Sequence, residues 1–353
     1  MNFPQISYNQ STSFFNSSSP LPPGLGLMLL YPYKPAIAWA SVSFVMALFG
    51  SINNLLLLAV TFRLRSLNQG SGYLLGSFFF GNFLLSAFTL PTAAVGVILG
   101  FHGGRRQISD FHCNILQPLS TTIFVALAWT DAALGVNRYI AICWPNLYPR
   151  FSTKATAYVT IILCWAVSFA CMLPMTFGRY GSYRVIPRTN LCTVVYDGVS
   201  GQVLGQLGVY GPWCIIGASV LLVLRRAIAL SWIRARRIRA MGMAANGRDF
   251  NSAQQRQIRR AVALGRVLFI AFLWNVLCQV PVSVVVQFFP YILAQYPMVV
   301  LMLKSSLAGV YVFIPLIFYA TSDDYRRGSR ALVMSVVGGA SSAGVHPNDS
   351  TRY

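Results

Sequence analysis

The sequence predicts an all-α membrane protein, a bundle of seven transmembrane helices followed by a short amphipathic helix. Three observations carry this. The 353 residues are 56% hydrophobic and only 10% charged, where a soluble domain carries about 25% charged residues. Seven apolar runs recur, at about 36–62, 72–100, 111–144, 155–177, 203–230, 258–289 and 298–320; each exceeds or approaches the ~20 residues that cross a hydrocarbon core. The basic residues fall unevenly between the runs, with the larger share in the first, third and fifth loops and the tail. That is the asymmetry that marks the cytoplasmic side of a multi-span chain.

Residues 1–35 are rich in Ser, Asn and Pro, with neither a charged start nor an early apolar core. They read as a disordered extracellular leader, not a cleavable signal. Asn9 and Asn16 each begin a glycosylation sequon there. Asn348 begins another, but the parity of seven spans places it inside the cell. The bundle occupies 36–322, an amphipathic helix 323–335 and a Gly/Ser-rich disordered tail 336–353. The fifth loop, about 231–257, extends spans five and six as helices, with a turn over Ala244–Asn251. After span seven, Thr321-Ser322-Asp323-Asp324 caps a helix start. Tyr325, Leu332 and Val333 are expected to lie on the membrane, with Arg326, Arg327 and Arg330 toward phosphates.

The net charge of +20 comes from 27 basic residues against seven aspartates and no glutamate. Without basic residues interleaved with aromatics, it reads as topology and excludes a nucleic-acid partner. The seven cysteines have no metal spacing and no CxxC. The three histidines lie in loops, at a span end and in the tail. No enzyme constellation, metal site or cofactor is expected. No internal repeat points to a transporter.

The third run is the most informative. It opens at Cys113 and closes on Asn137-Arg138-Tyr139. Gln117, Phe124, Asp131 and Arg138 recur every seven residues, so they share one helix face. A stripe of polar groups along a membrane helix places that helix among other helices, not in lipid.

These residues resemble the rhodopsin-like G protein-coupled receptors over about 36–335. Asn54 after Gly50 matches the family's asparagine of span one. Asn82 stands in span two where aspartate is usual, followed by Pro91. Trp165 in span four, Pro212 in span five, Trp274 in span six and Pro315 in span seven match the family in order and spacing. Tyr325 lies where the seventh span runs into helix eight. The resemblance implies a disulfide between Cys113 and Cys192, both on the oxidising side.

The same resemblance implies a receptor whose Asn137, Arg138 and Tyr139, with Arg225, Arg226, Arg259 and Arg260, meet a heterotrimeric G protein. It implies an extracellular ligand in a pocket whose inward candidates are Gln117, Ser120, Thr121, Phe124, Trp274, Gln279 and Lys304. Ser120 stands where amine receptors carry aspartate, which argues against a monoamine. Lys304, with Arg105, Arg106, Arg179, Arg184 and Arg188 nearby, makes the mouth cationic. An anionic lipid, a small acid or an acidic peptide fits that mouth; outward snorkelling of Lys304 is the alternative. Membrane lipids are the remaining partners.

Departures from the family matter as much. Asn137 replaces the acid of Asp-Arg-Tyr, as in melatonin-type and some invertebrate receptors. Val276 and Val220 stand where proline and tyrosine are usual, and span seven ends Ile314-Pro315-Leu316-Ile317-Phe318. With Asn82, Leu127 and Ile314 in place, a sodium site there is not expected. The lower lock between spans three and six lacks its acid. Asp131 and Arg266 come to similar depth when the spans are aligned on Arg138 and Trp274. They are expected to form an ionic clasp instead; a protonated Asp131, or one bonded to Asn82, is the alternative. A receptor-fold scaffold or scavenger that no longer signals remains a competing reading. So does an opsin, although the family's retinal lysine position is Ala308 here.

Overall fold

Backbone amides in hydrocarbon find no water, so a chain this apolar must cross as helix. The computed structural model describes residues 33–64, 70–101, 111–186, 189, 191–241 and 250–337. Its candidate spans are Lys34–Arg63, Ser71–Leu99, His112–Cys143, Lys154–Thr176, Gly198–Arg226, Phe269–Val286 and Pro297–Thr321. Span one is helix α1 (Tyr33–Arg63). Span two joins α2 (Gly70–Leu84) to α3 (Leu90–Phe101) through a π-turn, Leu85–Thr89. Span three starts in a second π-turn, His112–Leu116, and continues as α4 (Gln117–Cys143). After the short α5 (Tyr148–Phe151), span four is α6 (Lys154–Thr176). Thr153 caps it by accepting a 3.2 Å bond from the Thr156 amide.

Strands β1 (Gly181–Val185) and β2 (Cys192–Tyr196) form an antiparallel hairpin with Gly181 opposite Tyr196. Helix α7 (Gly198–Met241) contains span five and α8 (Phe250–Phe288) span six. Both run well beyond their candidate spans, as the sequence predicts; the turn over 244–251 lies mostly outside the described residues. The short α9 (Pro290–Gln295) leads to span seven, which is α10 (Pro297–Val312) and α11 (Ile314–Thr321). Pro315 sits in the first turn of α11, where its missing N–H costs nothing, and Phe313 marks the break. The last helix is α12 (Asp323–Val337).

Span three is the central post. It packs against spans two, four and five, and far less against span six. The largest core cluster surrounds Phe79, Leu57, Leu127, Tyr311 and Tyr325. Hydroxyls inside the bundle turn back on their own helices. Thr61 donates to Leu57 O, Ser86 to Asn82 O, Thr130 to Ala126 O and Ser168 to Cys164 O. Asn54 Nδ2 donates to Gly50 O at 2.8 Å and to Tyr311 O at 3.0 Å, tying span one to span seven. Gly50 has to be glycine, because a Cβ there would lie 2.6 Å from Ser86 Oγ.

Helix α12 corrects one expectation. Tyr325 does not lie on the membrane: it is 3% exposed, its ring packs on Phe79 and Phe318, and its hydroxyl is 3.0 Å from Thr61 Oγ1. Leu332 also packs against the core, and Val333 and Met334 are the exposed apolar side chains. The reason is the tight turn at Ser322, which folds the first turn of α12 under span one. Asp323 and Asp324 pair with Arg326 and Arg327 on the outer face.

Tyr325 is therefore an anchor. Tyr325→Phe removes only a hydrogen bond and should cost about 0.5–1.5 kcal/mol. Tyr325→Ala empties the aromatic socket and should cost about 3–5 kcal/mol. Thermal unfolding of the purified protein should rank them in that order; equal losses would show that packing contributes little.

Candidate functional site

Three layers of side chains line the bundle, and span three contributes to all of them. At the hairpin end, Cys113 and Cys192 form a disulfide with Cα atoms 5.4 Å apart. The bridge ties the hairpin to the top of span three. Gly178 and Tyr180 turn the chain into β1 with left-handed φ of 70° and 68°. The hairpin packs its Tyr183, Val194 and Tyr196 against Val125, Met172 and Met175. Burial pushes the Tyr196 phenol up to about 12, and the neighbouring Tyr183 and Tyr210 add to this. Burial raises Tyr183 too, while Thr121 and Thr176 beside its hydroxyl pull the other way.

Beneath the hairpin, Thr121 Oγ1 donates to Gln117 O at 2.8 Å, and Gln117 Nε2 lies 3.4 Å from Thr121 Oγ1. Ser120 Oγ is 2.9 Å from Thr89 Oγ1, which the π-turn of span two brings inward. Lys304 is not fully exposed, and its charge reaches His112 at the head of span three. No carboxylate forms an ion pair with it among the described residues. On the other side of span seven, Trp39 Nε1 bonds Leu301 O and Ser305 Oγ. Trp274 Nε1 donates to Gly309 O at 2.9 Å, and its ring meets Phe313 edge-on.

The middle layer is a cavity of about 30 Å³ lined by Phe124, Asp131, Asn82, Asn275, Gln279 and Tyr311 among others. So Phe124 and Gln279 lie deeper than the mouth. Asn275 Nδ2 donates to Asp131 Oδ2 at 3.2 Å. Among the described residues this is the hydrogen bond that joins spans three and six. Asn275 Oδ1 and Asn82 Nδ2 are buried without partners. The Arg266 side chain lies outside the described residues, so the clasp with Asp131 is not on view. Sequence reasoning missed Asn275; the available signal was an amide in the middle of an apolar span.

The third layer lies at the opposite end. Arg138 is half-buried with Tyr148 and Tyr325 as electrostatic neighbours. Asn137 is buried, and its Oδ1 has no partner. Tyr139 accepts a 3.3 Å bond from Trp144 Nε1. Arg225 and Arg226 are exposed. Arg259 and Arg260 lie on α8, with side chains outside the described residues, as are Asn9 and Asn16. Trp165 packs on Phe169 and the main core, Pro212 sits within α7, and Phe318 meets Phe79 edge-on.

Comparison with known proteins gives a consistent picture. Residues 53–320 match the model of the 7 transmembrane receptor (rhodopsin family). The D(2) dopamine receptor A of Xenopus laevis is 28% identical over 149 residues, 41% of this chain and 33% of that protein. Human short-wave-sensitive opsin 1 is 30% identical over 146 residues, 41% of this chain and 40% of that protein. The chain's alignments thus span about a third to two fifths of the length of these relatives. The crystal structure of squid rhodopsin superposes with a TM-score of 0.68 at 18% identity, covering 86% of this chain and 88% of that one.

The link between spans three and six can be isolated by a double-mutant cycle. Asp131→Leu and Asn275→Leu each strand one buried polar partner and should each cost about 1–3 kcal/mol. The double variant should recover part of that loss. Thermal unfolding of all four proteins is the measurement, and strictly additive losses would show that the two side chains are not coupled.

Proposed function

The chain belongs to the rhodopsin family of seven-transmembrane receptors, and we propose that it carries an extracellular ligand signal to a heterotrimeric G protein. It is a multi-pass membrane protein of a receptor class, not of an enzyme family. The observation that carries the reading is the Arg138 end of span three. There the Arg138 guanidinium, without an acid at position 137, has Tyr148 of α5 and Tyr325 of α12 as its electrostatic neighbours. Exposed Arg225 and Arg226 stand on α7, which continues past the end of the span at Arg226 as far as Met241. This basic end suits the cytoplasmic side of a plasma membrane. The hairpin, with its disulfide, then faces outside, together with the sequons at Asn9 and Asn16. If so, glycosidase treatment of cell-expressed protein shifts its mobility on a gel; an unshifted band counts against this orientation.

The ligand class follows from charge. Lys304 puts a cationic group at the mouth beside His112, and no described carboxylate offsets it. Ser120 is engaged by Thr89. An acidic ligand, whether lipid, small acid or peptide, fits this mouth better than an amine. A salt bridge of Asp131 with Arg266 would restrain span six, the helix whose Asn275 donates to Asp131.

The decisive experiment is nucleotide exchange on purified G proteins by the reconstituted receptor. Arg138→Ala should remove exchange with surface expression intact. Arg266→Ala or Asp131→Ala should raise exchange without ligand, and Asp131→Arg with Arg266→Asp should restore part of the restraint. Exchange that Arg138→Ala leaves unchanged would overturn the coupling reading. Absence of exchange with every G protein class would favour a scaffold.

A further inference from the structure

Helix α12 carries an arginine pair that the coupling surface does not include. Of the chain's five adjacent arginine pairs, only Arg326-Arg327 is followed two residues on by a hydroxyl, that of Ser329. An Arg-Arg-x-Ser run is what a serine kinase with an acidic substrate cleft reads. The guanidiniums pair with the carboxylates of the cleft, and the serine is delivered to ATP. Arg326, Arg327 and Arg330 are exposed. The nearby Ser322 and Ser335 have no arginine in the three residues before them.

In the docked helix this run is closed in three ways. Ser329 is 6% exposed and its Oγ has no hydrogen-bond partner; the Tyr319 hydroxyl beside it is too poorly placed to serve. Arg326 and Arg327 pair with Asp323 and Asp324. The helical backbone of 323–337 keeps the run out of the extended form that a kinase cleft holds. The docking itself is close: a Cβ on Gly328 would lie 2.7 Å from Val60 Cγ1, and Tyr325 is bonded to Thr61. An unpartnered buried hydroxyl subtracts from that docking, and exposed ion pairs add little to it. Release of α12 alone opens the site, because it breaks no contact between one span and another.

We propose that Ser329 is a phosphorylation site for an arginine-reading serine kinase, open only when α12 leaves the bundle. Ser329 Oγ attacks the γ-phosphorus of ATP, its proton passes to the kinase's catalytic aspartate, and the bond to the β-phosphate oxygen breaks to release ADP. The product carries about −1.5 to −2 charge. Returning such a group to the buried seat beside Tyr319 is too costly. The phosphate therefore keeps α12 off span one and holds Tyr325 away from Thr61. Access to ATP needs α12 on the cytoplasmic side, the orientation proposed for this receptor; coupling to G protein does not enter.

The test uses the full chain in nanodiscs, where both faces meet solution, with ATP and the purified catalytic subunit of cAMP-dependent protein kinase. Phosphate mapped by mass spectrometry should appear on Ser329, slowly in the wild-type chain and at least about tenfold faster in Tyr325→Ala, whose anchor is gone. If Tyr325→Ala does not fold, Gly328→Val prises α12 from Val60 and leaves the arginines in place. Ser329→Ala should remove the label, and Arg326→Gln with Arg327→Gln should slow it at least about tenfold. Amide hydrogen exchange over 323–337 should speed up on phosphorylation. No phosphate on Ser329 in the released variants, phosphate on Ser322 or Ser335 in its place, equal rates in wild type and released variants, or unchanged exchange after phosphorylation overturns the proposal.

Discussion

Inside hydrocarbon a polar atom has only the protein, or another membrane component, to bond to, and the architecture depends on that constraint. It dictates helices for every span and returns the hydroxyls of Thr61, Ser86, Thr130 and Ser168 to their own backbones. It makes Asn54 a tie between spans one and seven instead of a loose amide. It also gives weight to the few groups left over. Asp131 takes its described partner from span six, and Asn82 and Asn275 keep unpaired atoms around the same small cavity.

Span three concentrates these groups because its polar stripe could face nothing but other helices. Its hairpin end is covalently tied to β2, its middle is hydrogen-bonded to span six, and its far end presents Arg138. Span six otherwise packs sparsely on it. A helix held by neighbours on one side and, among the described residues, by one hydrogen bond on the other is free to move once that bond opens.

Much of this was legible in the residues. Seven apolar runs of the right length leave no alternative to a helical bundle, and Gln117, Phe124, Asp131 and Arg138 at intervals of seven place span three at its centre. The disulfide came from resemblance and is present. What was not legible depends on tertiary geometry. Tyr325 reads as an amphipathic surface residue by helical periodicity, but the turn at Ser322 carries it under span one to Thr61. The hydrogen bond from Asn275 to Asp131 depends on how span six is rotated, which no local pattern shows. The inward turn of Tyr183 and Tyr196 depends on the hairpin pairing, which no local pattern announces.

The π-turn at Leu85–Thr89 has a consequence for how this chain is compared with its relatives. One extra residue in a helical turn advances the spiral by about 100° for everything beyond it. Positions counted outward from Asn82 therefore keep their faces only as far as Leu84. Past Thr89, a partner without the bulge shows a different side chain at the same count. The Thr89–Ser120 contact is one product of that phase shift. Against a relative without the bulge, an ungapped alignment through span two would pair lipid-facing residues of one protein with cavity-facing residues of the other. Substitution patterns drawn from it would assign the mouth of this receptor to the wrong stripe of the helix.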